Sequence, residues 1–80
     1  METRFNEDWE IIGAVKVSDG NEYENAFEIV IAHNPNNKCT PYVTWECSNG
    51  DNYYWGHYCA TKKEAMNDFI ERIQKCEKHF

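Results

Sequence analysis

The run from Tyr42 to Tyr58, YVTWECSNGDNYYWGHY, is the feature that most narrows what this chain can fold into. It holds six of the twelve aromatic residues, and Asn49-Gly50 sits between two segments rich in aromatic and β-branched residues. An Asn-Gly pair in that setting is a strong short-range signal for a β-hairpin. The expected strands are Tyr42–Ser48 and Asn52–Cys59. Because side chains alternate along a strand, a slip of one residue sends every ring to the other face. A three-residue loop, Ser48-Asn49-Gly50 with Gly50 left-handed, pairs Trp45 with Tyr53 and Val43 with Trp55. That register gathers Val43, Trp45, Cys47, Tyr53, Trp55, His57 and Cys59 on one side and makes it the more apolar.

Upstream, WEIIGAVKV at 9–17 alternates around Trp9, Ile11, Val15 and Val17, which predicts a half-buried strand. Asp19-Gly20 signals a turn. NAFEIVIAH at 25–33 places Phe27, Ile29 and Ile31 on one face and Glu28 on the other. An odd-length loop near Ser18–Asn21 aligns Trp9, Ile11 and Val15 with that apolar set. HNPNNKCTP then interrupts regular structure with prolines and asparagines. Gly13 and Gly56 fall inside strands, where they mark a bulge or a close packing site for a ring.

The C-terminal segment 61–80 predicts a helix. Thr61-Lys62-Lys63-Glu64 is a capping box, and Met66, Phe69, Ile70, Ile73, Cys76 and Phe80 recur at helical spacing. Asp68, Glu71, Arg72, Lys75 and Lys78 are left outside. The apolar stripe has to lie on the apolar sheet face. The expected fold is therefore two-layer α+β: an antiparallel sheet of about four strands, built from two hairpins, under one C-terminal helix. The whole chain reads as a single domain, with a flexible N-terminus at 1–8, sheet at 9–59 and helix at 61–80.

Eighty residues with 41% hydrophobic content suffice for one core and exclude a disordered chain. Charge is uneven. Residues 1–60 carry ten acids against three bases, the last twenty are slightly basic, and the total is -6. No basic stripe exists for phosphates, so direct nucleic-acid binding is not expected. A basic protein surface suits the charge better. The N-terminal residues have no apolar signal-like core and no run of 18 apolar residues occurs, so a cytoplasmic, non-membrane protein is expected. The four cysteines read as free thiols, mostly buried.

Chemistry-bearing constellations are sparse. His57 and Cys59 share a strand face, but no Cys-x-x-Cys knuckle accompanies them as structural zinc would require. No third group orients them as a nucleophile and base. No phosphate loop or hydrolase elbow is present. Neither catalysis nor a metal or other cofactor is expected.

With one face under the helix, the other presents Glu10, Glu28, Tyr42, Glu46, Tyr54 and Tyr58 together with Thr44, Lys16 and Asn52. Tyrosines offer contact area at low entropic cost and carboxylates select a basic partner, so these six are the candidate partner-binding residues. The same face would also serve self-association as a homodimer. A different class of function, a small-ligand site stacking a sugar or nucleotide on Trp45, Trp55 and the tyrosines, is the alternative.

The YVTW and YYWGHY segments, with FEIVIAHNP upstream, resemble a group of small proteins of phages and conjugative elements from gut Firmicutes. The likeness spans Trp9 to the final helix. It carries no established ligand or catalytic residue. It implies a setting in which short acidic proteins inhibit host defence nucleases, as anti-CRISPR proteins do, and so names a CRISPR nuclease as the partner to expect.

Overall fold

A computed structural model describes residues 4–20 and 26–77, with side chains through residue 75. The fold is α+β: five antiparallel strands and one C-terminal helix. The strands are β1 (Phe5–Asn6), β2 (Trp9–Ser18), β3 (Phe27–His33), β4 (Tyr42–Ser48) and β5 (Asn52–Cys59), and α1 spans Lys62–Glu77. Each strand pairs with the next in sequence, giving the order β1-β2-β3-β4-β5. The segment expected to be flexible thus contributes a strand, because Asn6 pairs with Trp9 across a tight turn in which Glu7 is left-handed.

Both faces of β3 and β4 are buried. Ile29, Ile31 and their neighbours pack under Ala65 and Phe69 of α1. Val30, Ala32, Val43, Trp45 and Cys47 form a second cluster on the opposite face, with Trp9, Ile11 and Tyr53 against it. Among the described residues no second layer covers that face, and the sheet curls toward itself. In a flat sheet β1 and β5 would stand about 19 Å apart, four spacings of about 4.8 Å. Instead Arg4 Nε donates to the Tyr53 hydroxyl at 2.9 Å, and the Trp9 and Tyr58 rings meet edge-on at 5.7 Å. The curl creates a second interior in place of an open face.

That curl corrects the expected register. Tyr53 pairs with Cys47 rather than Trp45, across the loop Asn49-Gly50-Asp51. In β4 it is Tyr42, Thr44 and Glu46 that face the helix, while Val43, Trp45 and Cys47 face away. A bulge at Trp55-Gly56 then returns His57 and Cys59 to the helix side, and a bulge at Ile12 leaves Trp9 and Ile11 on the far face while Val15 joins Ile29. β3 is as expected, with Phe27, Ile29 and Ile31 under α1.

The helix begins where expected, with the Glu64 N–H donating to Thr61 Oγ1 at 3.2 Å. Its buried line is Ala65, Phe69 and Arg72, whereas Met66 and Ile70 are 36% and 47% exposed. The stripe is therefore rotated by about one residue, because polar groups of α1 are drawn inward. The expected stripe positions Cys76 and Phe80 lie outside the described side chains.

Candidate functional site

The polar groups drawn inward belong to Asp68. Its carboxylate accepts the hydroxyl proton of buried Thr44 and lies 3.0 Å from His57 Nδ1 and 3.3 Å from Arg72 Nε. Arg72 Nε–H donates to His57 Nδ1 at 3.2 Å and is ion-paired with the carboxylate, so the three side chains form one connected cluster. Burial would raise the Asp68 carboxyl, but the Thr44 hydroxyl, His57 and Arg72 outweigh it and hold it below the ordinary aspartate range. This cluster pins α1 to β4 and β5. Cys59 points its thiol at the His57 carbonyl, 3.8 Å away, and burial pushes that thiol up. The Cys59 thiol is thus directed at the His57 backbone rather than at its ring. Among the described residues no three His, Cys, Asp or Glu side chains converge on a point a metal could occupy.

Arg72 does a second thing. Its Nη2 donates to the carbonyl of Trp55, a residue in the left-handed region at φ 57°. For a bulky side chain that conformation costs about 1–2 kcal/mol and is held only where surroundings impose it. The adjacent glycine does not relieve it, because Gly56 is needed elsewhere: a Cβ there would stand 2.8 Å from Trp45 Nε1. The result is a tryptophan turned out of the sheet and 73% exposed. It stands beside a cavity of about 220 Å³ lined by Ile29, Glu46, His57, Arg72 and Lys75. Trp55 was expected in the core. The bulge reverses its direction, and Gly56 is the sequence signal that could have shown this.

The six candidate contact residues do not share one surface. Glu46 lines the cavity beside Trp55, and Tyr54, the neighbour of Trp55, pairs with Glu46. Tyr58 lies on the opposite face, 54% exposed and edge-on to Trp9 and Trp45. Tyr42 packs in the helix-side cluster and stacks on His33 at 4.6 Å. Glu28 is committed to Arg4, which also donates to Tyr53, to Gly50 O and to Cys47 Sγ. Glu10 is exposed on β2 opposite His33. Burial also proves uneven among the thiols: Cys47 is buried and Cys59 half-buried, but Cys39 is exposed.

On the curled face, the β1–β2 turn and the β4–β5 turn flank a basin of about 380 Å³. Its lining includes Asn6, Glu7, Trp9, Asp51, Tyr53 and Tyr58. Two exposed aromatic residues, Trp55 and Tyr58, lie on β5, an edge strand that carries Trp55 toward one face and Tyr53 and Tyr58 toward the other. No helix among the described residues is long and apolar enough to cross a membrane.

No family model, curated protein or solved structure matches this chain.

Proposed function

We propose that this chain is a non-enzymatic protein-binding module whose β5 edge docks a partner, with Trp55 as the anchor. The observation that carries this reading is the exposed Trp55 ring on a left-handed backbone whose carbonyl Arg72 clamps. Tryptophans are over-represented among residues that dominate binding energy. Here local strain maintains the exposure, as functional sites characteristically do. Glu46 and Tyr54 flank the anchor.

The net charge of -6 favours a basic partner surface, through faster encounter and exclusion of acidic competitors. Together with the resemblance to mobile-element proteins, this makes inhibition of a cytoplasmic host defence nuclease the proposed biological role. A CRISPR nuclease is the first partner to test. The test is capture of purified nucleases by the immobilised protein, compared with Trp55→Ala and with Met66→Ala as an exposed apolar control. Loss of capture with Trp55→Ala alone, at unchanged melting temperature, is the expected result. Equal capture by both variants rejects Trp55 as the anchor.

A further inference from the structure

The geometry points to His57 as a proton-driven release on the Arg72 clamp that turns Trp55 outward. Two neighbours of its ring nitrogen Nδ1 make opposite demands. Arg72 Nε–H, 3.2 Å away, donates to Nδ1 and needs a bare lone pair there. The Asp68 carboxylate, 3.0 Å away, can only accept and needs a proton there. One nitrogen cannot meet both. While Nδ1 accepts from Arg72, the neutral ring carries its hydrogen on Nε2. The nitrogen left to protonate is then Nδ1 itself. Taking up a proton therefore breaks the bond to Arg72 and makes one to Asp68.

Arg72 is poorly placed to absorb that loss. Its side chain is only 10% exposed, and Nη1 already lacks a partner among the described residues. With Nε stripped of its nitrogen acceptor, the guanidinium stands beside an imidazolium and shares one carboxylate with it and with the Thr44 hydroxyl. Like charges this close repel, and buried donors without acceptors are costly. Movement of Arg72 frees the Trp55 carbonyl from Nη2, and the left-handed backbone of Trp55 loses the contact that holds it. The remaining charged groups around His57 do not cancel this. Lys75 of α1 and Glu46 of β4 line the same cavity with opposite signs, and the Cys59 thiol on β5, pushed up by burial, stays neutral. The clamp is thus engaged with a neutral ring and weakened by acid.

The whole chain, isotope-labelled, is titrated by NMR from about pH 8 to about pH 5, the span in which histidines change charge. The His57 ring nitrogens and the backbone and indole signals of Trp55 are followed. At the alkaline end His57 should be the Nε2–H tautomer, and Trp55 should shift along one curve that shares the midpoint of the His57 ring. Asp68, held below the ordinary aspartate range, titrates outside that span. His57→Gln should leave the Trp55 signals constant throughout, and His33→Gln should leave the curve as in the wild type. An Nδ1–H tautomer at the alkaline end overturns the switch without any variant having to fold. So does a Trp55 signal that does not move, a curve that survives His57→Gln, or one lost with His33→Gln. The use of the switch rests on the docking reading, under which capture should weaken below the midpoint. If Trp55 titrates with His57 but nucleases are not captured at either end, the switch stands and the docking reading fails. Capture without that titration gives the reverse.

Discussion

Arg72 on α1 holds the backbone carbonyl of Trp55, seventeen residues earlier on β5, with the same guanidinium that pairs with Asp68 and whose Nε donates to His57. The helix therefore fixes both the docking of the sheet and the direction of its most exposed ring. Arg72 Nη1 is buried without a partner among the described residues, so the clamp leaves one donor unsatisfied. It is tolerated because the guanidinium's other donors have strong acceptors.

Trp55→Gly should separate stability from binding. Glycine enters the left-handed region without penalty, which offsets its greater entropy loss on folding, about 0.5–1 kcal/mol. The exposed ring contributes little burial, so unfolding free energy should change by less than about 1 kcal/mol, against about 3–5 kcal/mol for truncating a core tryptophan such as Trp45. Urea unfolding of both variants checks this. A loss above about 2 kcal/mol for Trp55→Gly would mean that the ring is structural.

Gly56→Ala should destabilise far more than its size suggests. The added methyl would meet Trp45 Nε1 at 2.8 Å and Tyr58 Cε2 at 3.1 Å. Overpacking of this kind costs about 1–3 kcal/mol, or roughly 4–20 °C in melting temperature for a domain this small. A melting curve that overlays the wild type would show that the Trp45 ring has room to move.

Arg4→Met should expose the cost of the curl. Glu28 would lose its only ion-pair partner among the described residues while its side chain stays just 14% exposed, and Tyr53 and Gly50 would lose a donor. The expected loss is about 2–3 kcal/mol. Arg4→Lys should restore only part of it, because an ammonium carries the charge without the fork. Full rescue by lysine, measured by chemical unfolding, would reduce the latch to a simple charge pair.

Stability should fall on the acid side through Asp68. Its carboxyl sits below the ordinary range when folded, so its contacts stabilise fully above the unfolded value, near pH 4, and are lost as pH falls through the lowered folded value. Asp68→Asn should be less stable at neutral pH and show a flatter acid limb. Parallel pH profiles for the two proteins would rule Asp68 out as the source.

Native-state thiol labelling should rank Cys39 ahead of Cys47. Cys39 is exposed and Cys47 buried, and burial raises the Cys47 thiol further from its reactive form. Site-resolved mass spectrometry after brief alkylation should find Cys39 modified and Cys47 intact. Comparable labelling would mean that the inner face of the curl opens readily.

The strands and helix were legible because their signals are local: the alternation of Phe27, Ile29 and Ile31, the Asn49-Gly50 turn, the Thr61 cap. The faces of β4 and β5 were not. Val43, Trp45 and Cys47 form the more apolar edge of β4, and one helix on one sheet invites placing them beneath it. A sheet that curls has two interiors, so both alternating sets can be buried and hydrophobic pattern no longer picks the helix side. Arg4 and Tyr53 decide the matter, yet nothing in sequence joins positions 49 residues apart. The site was hidden for a related reason. Trp55 follows the strand pattern, and only the close approach of Gly56 to Trp45 turns it outward.

The meander order has a kinetic consequence. Every ladder joins strands adjacent in sequence, so zippering proceeds through short loops, which favours fast folding. The Arg4–Tyr53 contact instead closes nearly the full length of the sheet, and its long loop closure is expected to follow the ladders it spans. Removing it should then accelerate unfolding and leave the refolding rate nearly unchanged. Stopped-flow chevrons of Arg4→Met would show this as a shift of the unfolding limb alone; a slowed refolding limb would place ring closure before the rate-limiting step. On that outcome the N-terminal strand is the catch that sets how long the folded protein lasts, more than how quickly it is made.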